Sequence, residues 1–314
     1  MSKQEINTNI IKKDWIKMNA DNIHGVIVPV VTPINDKEEI DQKALHGIIE
    51  RLIKAEVNGI FMGGSAGEGP LLPIHEWTQL MQKTFEFTQN RVILMGGVMD
   101  TSSAKIKEKI RILKDIGYSY VVVTPSFYIS IHSESEQFRL FAECYEECDG
   151  MEMIAYNIPS CTGSKLSINV LCDLAHRGWI HCCKESSGVA DYYTELIQKG
   201  KDAGLSVLMG DEISMLSALF VGANGIVPGC ANVEPTTFVS VYRSVLQKKF
   251  DDLRKYYDRV IALRNNLPLA GTCWIAGIKY ALSVLGFGNG KVLSPLEPLN
   301  EEQKARVERF LSSS

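Results

Sequence analysis

The chain has 314 residues, of which 45% are hydrophobic and 22% charged, with 25 Gly and 11 Pro. That is globular composition, long enough for one large α/β domain or two modest ones, and it excludes a wholly disordered chain. The formal net charge of −4 offers no basic excess, so nucleic acid is not an expected partner. The longest apolar stretches, 26–33 and 216–221, fall far short of the ~20 residues of a spanning helix, and no membrane partner is expected. Residues 1–13 are polar and carry no apolar signal-like run. Eight cysteines are scattered through apolar segments, the pattern of reduced thiols in a cytoplasmic protein. Neither Cys144-x3-Cys148 nor Cys182-Cys183 has a second pair at ligand spacing, so no metal site is expected.

In chain order, residues 1–24 read as a polar N-terminal extension, with Ile6, Ile10, Ile11, Trp15 and Ile16 able to stripe one short helix. Short apolar runs rich in Val and Ile follow at 26–31, 59–62, 92–96, 120–124, 153–156, 180–184, 206–209 and 225–227. Strands buried on both faces have this composition. Amphipathic runs lie between them. In 42–55, Leu45, Ile48, Ile49 and Leu52 share one stripe; in 102–116, Ile106, Ile110, Leu113 and Ile116 do. The second run starts on a capping Ser and is followed by Gly117. A helix–Gly–strand phrase recurs at Gly59, Gly117 and Gly225, a weak βα repeat. Eight strand–helix units predict a closed (β/α)8 TIM barrel over 25–247, of the α/β class. An open doubly wound sheet is the rival, but no G-x-G-x-x-G follows the first strand. Helical runs at 250–263, 272–285 and 300–311 predict a C-terminal helical appendage over 248–314.

Function on such a barrel collects where strands end. The second strand run leads into Gly63-Gly64-Ser65-Ala66-Gly67-Glu68-Gly69, the fourth into Thr124-Pro125-Ser126-Phe127-Tyr128, and the fifth into Tyr156-Asn157-Ile158-Pro159. The sixth ends Lys184-Glu185-Ser186-Ser187-Gly188, the seventh Gly210-Asp211-Glu212, the eighth Pro228-Gly229-Cys230. Lys184 closes an apolar run. In a barrel mouth, desolvation would lower its pKa and expose a nucleophilic amine able to form a Schiff base; a lone strand-end lysine is more often simply paired with a carboxylate. Tyr156 would face the same mouth as a proton donor and acceptor, or else pack its ring with a wet hydroxyl. The glycine-rich loop offers N–H donors from Gly64, Ser65 and Ala66 to a carboxylate or phosphate, or is only a tight βα turn. Glu68 reads as a cap or brace of that loop. Ser186, Asp211, Glu212 and Cys230 are candidates for further substrate contacts.

Taken in order, "GSAGE", "TPSFY", "YNIPSCTG", "KESSG" and "GDE" resemble the dihydrodipicolinate synthase/N-acetylneuraminate lyase family, pyruvate-handling class I aldolases on (β/α)8 barrels. "GVIVPVVTPI" at 25–34 resembles the family's first strand, and the resemblance spans about 24–300. It implies that Lys184 is the Schiff-base lysine and Tyr156 the proton-transfer tyrosine. It also implies that Ser65, with the Ser65 and Ala66 amides, binds the carboxylate of a 2-oxo acid such as pyruvate. No metal or cofactor is implied, because the protonated imine is itself the electron sink.

Three positions depart from the family pattern. Ala66 stands where a second hydroxyl usually sits in the proton relay. Cys161 stands where synthases carry the Arg that binds the second substrate's carboxylate, and a thiol does not replace a bidentate guanidinium. Phe127 stands where a tyrosine is usual, with Tyr128 the candidate to take its catalytic place. These departures point away from lysine biosynthesis and toward cleavage of a 2-keto-3-deoxy sugar acid or 4-hydroxy-2-oxo acid. N-acetylneuraminate lyase and dihydrodipicolinate synthase are the alternatives within the family, and a non-catalytic oxo-acid-binding barrel is the alternative outside it. The apolar loop holding Phe127, Tyr128, Ile129 and Ile131 points to a homodimer or homotetramer, with Tyr128 reaching a neighbouring site.

Overall fold

A computed structural model of the chain describes residues 23–267 and 273–313. The helix expected in the N-terminal extension and the Thr272 start of the penultimate helix lie outside these residues. Eight strands run in sequence order as a closed barrel, and every pairing assigned between neighbours is parallel. They are β1 (Gly25–Pro29), β2 (Gly59–Met62), β3 (Ile93–Gly97), β4 (Tyr120–Val123), β5 (Glu152–Asn157), β6 (Ile180–Glu185), β7 (Ser206–Met209) and β8 (Gly225–Ile226). The helices between them include α1 (Gln42–Lys54), α2 (Ile74–Thr88), α3 (Ser103–Ile116), α4 (Glu134–Cys148), α5 (Pro159–Thr162), α6 (Ile168–His176), α7 (Ala190–Asp202) and α8 (Met215–Val221). After β8 come α9 (Pro235–Leu246), α10 (Phe250–Asn266), α11 (Trp274–Val284) and α12 (Glu301–Ser312). The architecture is the (β/α)8 barrel with C-terminal helices that the alternating pattern predicts. Among the described residues no helix is long and apolar enough to cross a membrane.

Local chemistry explains the helix limits. Asp41 accepts the Ala44 N–H at 3.0 Å to start α1. Ser102 caps α3, and Gly117 closes it at φ 109°, a conformation that favours glycine. Ser133 and Glu136 form a reciprocal capping box on α4. Strands β1, β2, β4 and β8 are buried at every position, which is why their sequences run apolar instead of alternating.

By backbone proximity the described chain falls into two compact units. One is built on Val98–Gly225, the other on Gly25–Gly97 with Ile226 onward. The first holds β4 to β7; the second holds β1 to β3, β8 and the C-terminal helices. Each carries its own group of candidate functional residues.

Candidate active site

In the Val98–Gly225 unit, β5 and β6 lie side by side with Tyr156 paired to Lys184 and Asn157 to Glu185. Paired residues of parallel strands point to the same face, so phenol and amine meet. The Lys184 Nζ stands 4.1 Å from the centroid of the Tyr156 ring. Lys184 is only 6% exposed. Burial pushes its pKa down to about 7, with Cys161 acting in the opposite sense. A free lysine near ~10.4 is neutral about once in 10³ at pH 7, whereas one near 7 is neutral about half the time.

This pairing depends on a one-residue shift. Met153 pairs with Ile180, but Ile154 pairs with Cys182, leaving His181 as an extra residue in β6. Continued without the shift, the lower register would set Tyr156 against Cys183, and Lys184 would face away. Glu152 fills the gap. Its Oε1 accepts the His181 backbone N–H at 2.9 Å, and both carboxylate oxygens lie 3.1 Å from the His181 Nδ1. Bulges next to functional sites often re-aim a side chain in this way.

The far ends of the same strands are fixed by a second buried network. Asn157 Nδ2 donates to Glu185 Oε2 at 2.6 Å, and Asn157 Oδ1 accepts the Leu166 N–H at 2.9 Å. Glu185 Oε1 accepts the Ser187 N–H, and burial raises the Glu185 pKa despite these bonds. The β7 end approaches closely. A Cβ placed on Gly210 would come within 2.0 Å of Ser186 Oγ and 3.0 Å of Lys184 Cε, so only glycine lets both side chains occupy that space. Gly188, at φ 67°, lies against the Asp211 carboxylate, which accepts the Ser214 N–H at 2.9 Å.

The structure therefore brings Tyr156, Lys184 and Ser186 together, with Gly210 as their floor. Asp211 caps the turn before α8, and Glu212 beside it is buried. Tyr128 is not part of this group within one chain. At φ 73° it turns outward and is 92% exposed, next to the exposed Ile129. Cys161 is exposed on α5, and Phe127 is half-buried.

In the other unit, the loop after β2 folds back on itself. Gly69 N–H donates to Gly64 O at 3.2 Å, and Glu68 N–H donates to Ser65 O at 3.1 Å. Thr32 Oγ1 donates to Gly67 O at 2.6 Å. These bonds leave the Ser65 and Ala66 amides and the Ser65 hydroxyl without a hydrogen-bond partner among the described residues. Neighbouring unpaired N–H groups of this kind are an anion-binding feature. Cys230 is buried in the short turn Gly229–Asn232 after β8.

Sequence reasoning singled out the lysine, the tyrosine and the loop as candidates, but missed the Glu152–His181 bulge, the Asn157–Glu185 bond and the Gly210 contact. The second of these left a trace in the sequence: Asn157 and Glu185 each follow a paired strand-end residue by one position.

Comparison with known proteins agrees with the architecture. The model of the dihydrodipicolinate synthetase family matches residues 22–314. An "uncharacterized DapA-like lyase" of Thermococcus onnurineus is 31% identical over 293 residues, covering 92% of this chain and 98% of that protein. A 4-hydroxy-tetrahydrodipicolinate synthase of Methanosphaerula palustris is 26% identical, covering 92% and 98%. The solved dihydrodipicolinate synthase of Bacteroides thetaiotaomicron superposes with a TM-score of 0.88 at 24% identity, covering 93% of this chain and 99% of that one, a likeness of fold.

Proposed function

Because the chain belongs to the dihydrodipicolinate synthetase family, whose members are pyruvate-dependent lyases, we propose that it is a Schiff-base aldolase with pyruvate as product or donor. Its substrate is a 2-keto-3-deoxy sugar acid or a 4-hydroxy-2-oxo acid. The observation that carries the reading is Lys184: a buried amine with its pKa near 7, held 4.1 Å from the Tyr156 ring.

The neutral Nζ of Lys184 attacks the C2 carbonyl of the oxo acid. The carbonyl oxygen gains two protons and leaves as water, giving the iminium. Tyr156 passes protons to and from the carbinolamine oxygen. In the cleavage direction the C4 hydroxyl loses its proton and the C3–C4 bond breaks. Its electron pair moves into the C2–C3 enamine as the iminium nitrogen is neutralised, and an aldehyde departs. Protonation at C3 and addition of water then release pyruvate and restore the amine. The Ser65 hydroxyl and the Ser65 and Ala66 amides are the donors assigned to the carboxylate of the oxo acid.

The synthase activity named for the Methanosphaerula relative is the second reading. Cys161, exposed on α5, offers no positive charge to a second carboxylate, and this weighs against it. The exposed Tyr128 and Ile129 support a homodimer or homotetramer.

The test is covalent trapping. Incubation with pyruvate followed by borohydride reduction should leave a stable adduct on Lys184, mapped by mass spectrometry. An adduct on another lysine, or none, overturns the assignment. A panel of 2-keto-3-deoxy acids, 4-hydroxy-2-oxo acids and N-acetylneuraminate, assayed for pyruvate release, then identifies the substrate. An adduct without turnover of any of them, and without condensation of pyruvate with aspartate semialdehyde, would favour a non-catalytic binding barrel.

A further inference from the structure

Glu68 is an odd residue for a tight loop. Its backbone is left-handed, at φ 54°, and its side chain is turned inward and fully buried. One carboxylate oxygen lies 2.7 Å from Lys279 Nζ on α11, whose side chain is 3% exposed. The other accepts the Leu293 N–H at 2.6 Å. Through its own N–H, Glu68 also holds the carbonyl of Ser65 at 3.1 Å. The other bonds on this loop, Thr32 Oγ1 to Gly67 O at 2.6 Å and Gly69 N–H to Gly64 O at 3.2 Å, hold the residues on either side of Ser65 and Ala66. A Cβ on Gly67 would come within 2.9 Å of Val30 O, and one on Gly69 within 2.0 Å of Gly63 O. These glycines allow the close fold, but their lack of side chains gives it no lateral support.

We infer that Lys279 is a positioning residue for the oxo-acid carboxylate: its ion pair with Glu68 fixes the Ser65–Ala66 amides from behind. The inference rests on the reading of that loop as the carboxylate site. The chain of contacts is short. Lys279 holds the Glu68 carboxylate, Glu68 N–H holds Ser65 O, and the Ser65 and Ala66 amides flank that carbonyl in the chain. Removing Lys279 leaves a buried carboxylate without its partner, a situation that buried sites relieve by moving or by taking up a proton. Either response lets go of the loop from behind. Lys184 lies on β6 and is not a member of this pair, so its reactivity as an amine is not expected to follow.

Two probes separate these effects: pyruvate, which carries the carboxylate, and methyl pyruvate, which does not. Both are trapped on Lys184 with borohydride, and the concentration for half-maximal labelling is measured. The wild type should prefer pyruvate. Displacement of a binding group by about 1 Å can cost ~10²-fold, so Lys279→Met should weaken pyruvate labelling by ~10- to ~10²-fold and methyl pyruvate by less than about twofold. Glu68→Gln keeps an acceptor for Leu293 and is the variant to use if Lys279→Met does not fold; it should weaken pyruvate labelling in the same selective way. The double variant Glu68→Gln/Lys279→Met removes both charges of the pair and should lose less than the two single effects combined. Undiminished preference for pyruvate in the single variants, or equal loss of both probes, overturns the inference while leaving the carboxylate loop intact. A wild type that does not distinguish acid from ester overturns the reading of the loop, and this inference with it.

Discussion

The depressed pKa of Lys184 makes a prediction about pH that an ordinary lysine would fail. Burial is its cause, since 6% of the residue is exposed and desolvation disfavours the charged form. Only the neutral amine attacks a carbonyl. With a pKa of about 7, the initial rate of pyruvate trapping should rise tenfold per pH unit up to about 7 and then level off. With a pKa of ~10.4 it would climb through pH 9, and the rate at pH 7 would be lower by ~10²- to 10³-fold for the same intrinsic reactivity. The same shift must appear in stability. Between about pH 7 and ~10.4 the unfolded chain keeps this proton while the folded chain has released it, so the Lys184 contribution makes stability rise with pH across that window. Below about 7 both states are protonated, and the folded state carries the whole cost of the buried charge, on the order of 5 kcal/mol. Stability depends on pH through every group whose proton affinity changes on folding, so the quantity to measure is a difference. Lys184→Met removes the charge at similar volume, and its stability advantage over the wild type should be largest at pH 6 and shrink toward pH 10. Trapping rates by mass spectrometry and chemical denaturation across pH give the two curves. A trapping rate still rising at pH 9, together with a difference in stability that does not change with pH, would refute the argument from burial.

Three further outcomes follow from the same geometry. Tyr156→Phe keeps the ring beside the amine and removes its hydroxyl, so turnover should fall by ~10²- to 10⁴-fold with the denaturation midpoint nearly unchanged; a loss below tenfold would leave the residue a packing role. Gly210→Ala puts a methyl group 3.0 Å from Lys184 Cε and 2.0 Å from Ser186 Oγ. The serine can rotate away but the lysine must shift, so Lys184 trapping should slow by at least ~10-fold, read against a midpoint shift worth ~1–3 kcal/mol. Light scattering at micromolar concentration should give a particle larger than one chain, because fully burying the exposed Tyr128 and Ile129 is worth roughly 1.5–3 kcal/mol each; a stable, active single-chain particle would remove Tyr128 from any neighbouring site.

The barrel was legible because strands buried on both faces must be apolar, and apolar runs of that length separated by amphipathic helices have few other solutions. Boundaries were misread where polar residues join the ladder. The sequence pattern starts β5 at Met153 and ends it at Tyr156, yet Glu152 and Asn157 belong to it. Both are buried, and each is satisfied by a partner on β6 or beyond it that no local pattern reveals. At β1 the error runs the other way. Val31 looks like strand, but its N–H donates to the Asn232 side chain at 3.2 Å and not to the ladder. In the site, Lys184 and Tyr156 were visible because a charged or phenolic group at the end of an apolar run is conspicuous. Lys279 was not. It sits on a helix with no local mark of function, and its partner Glu68 is 211 positions away.

The bulge on β6 shows how far from the amine its position is decided. Parallel pairing has a period of two, so adding or removing one residue sends every later side chain to the opposite face. His181 is that added residue, three positions before Lys184. An extra residue leaves its amide without a ladder partner, and a buried unsatisfied amide costs about 1–3 kcal/mol. Glu152 removes the cost by accepting that N–H at 2.9 Å and by holding the imidazole as well. The bulge is thus stable only while an acceptor stands at position 152. Glu152→Ala should lose about 1–3 kcal/mol of stability and favour the unbulged register, in which Cys183 faces Tyr156. Trapping at Lys184 should fall by at least ~10-fold, and the break near pH 7 should move upward as the amine leaves its buried place. Glu152→Gln retains a carbonyl oxygen for the His181 N–H and should keep most of both. If Glu152→Ala keeps the wild-type rate and pH break, the strand ends alone hold the register, through Asn157 and Glu185, and the bulge is a passenger.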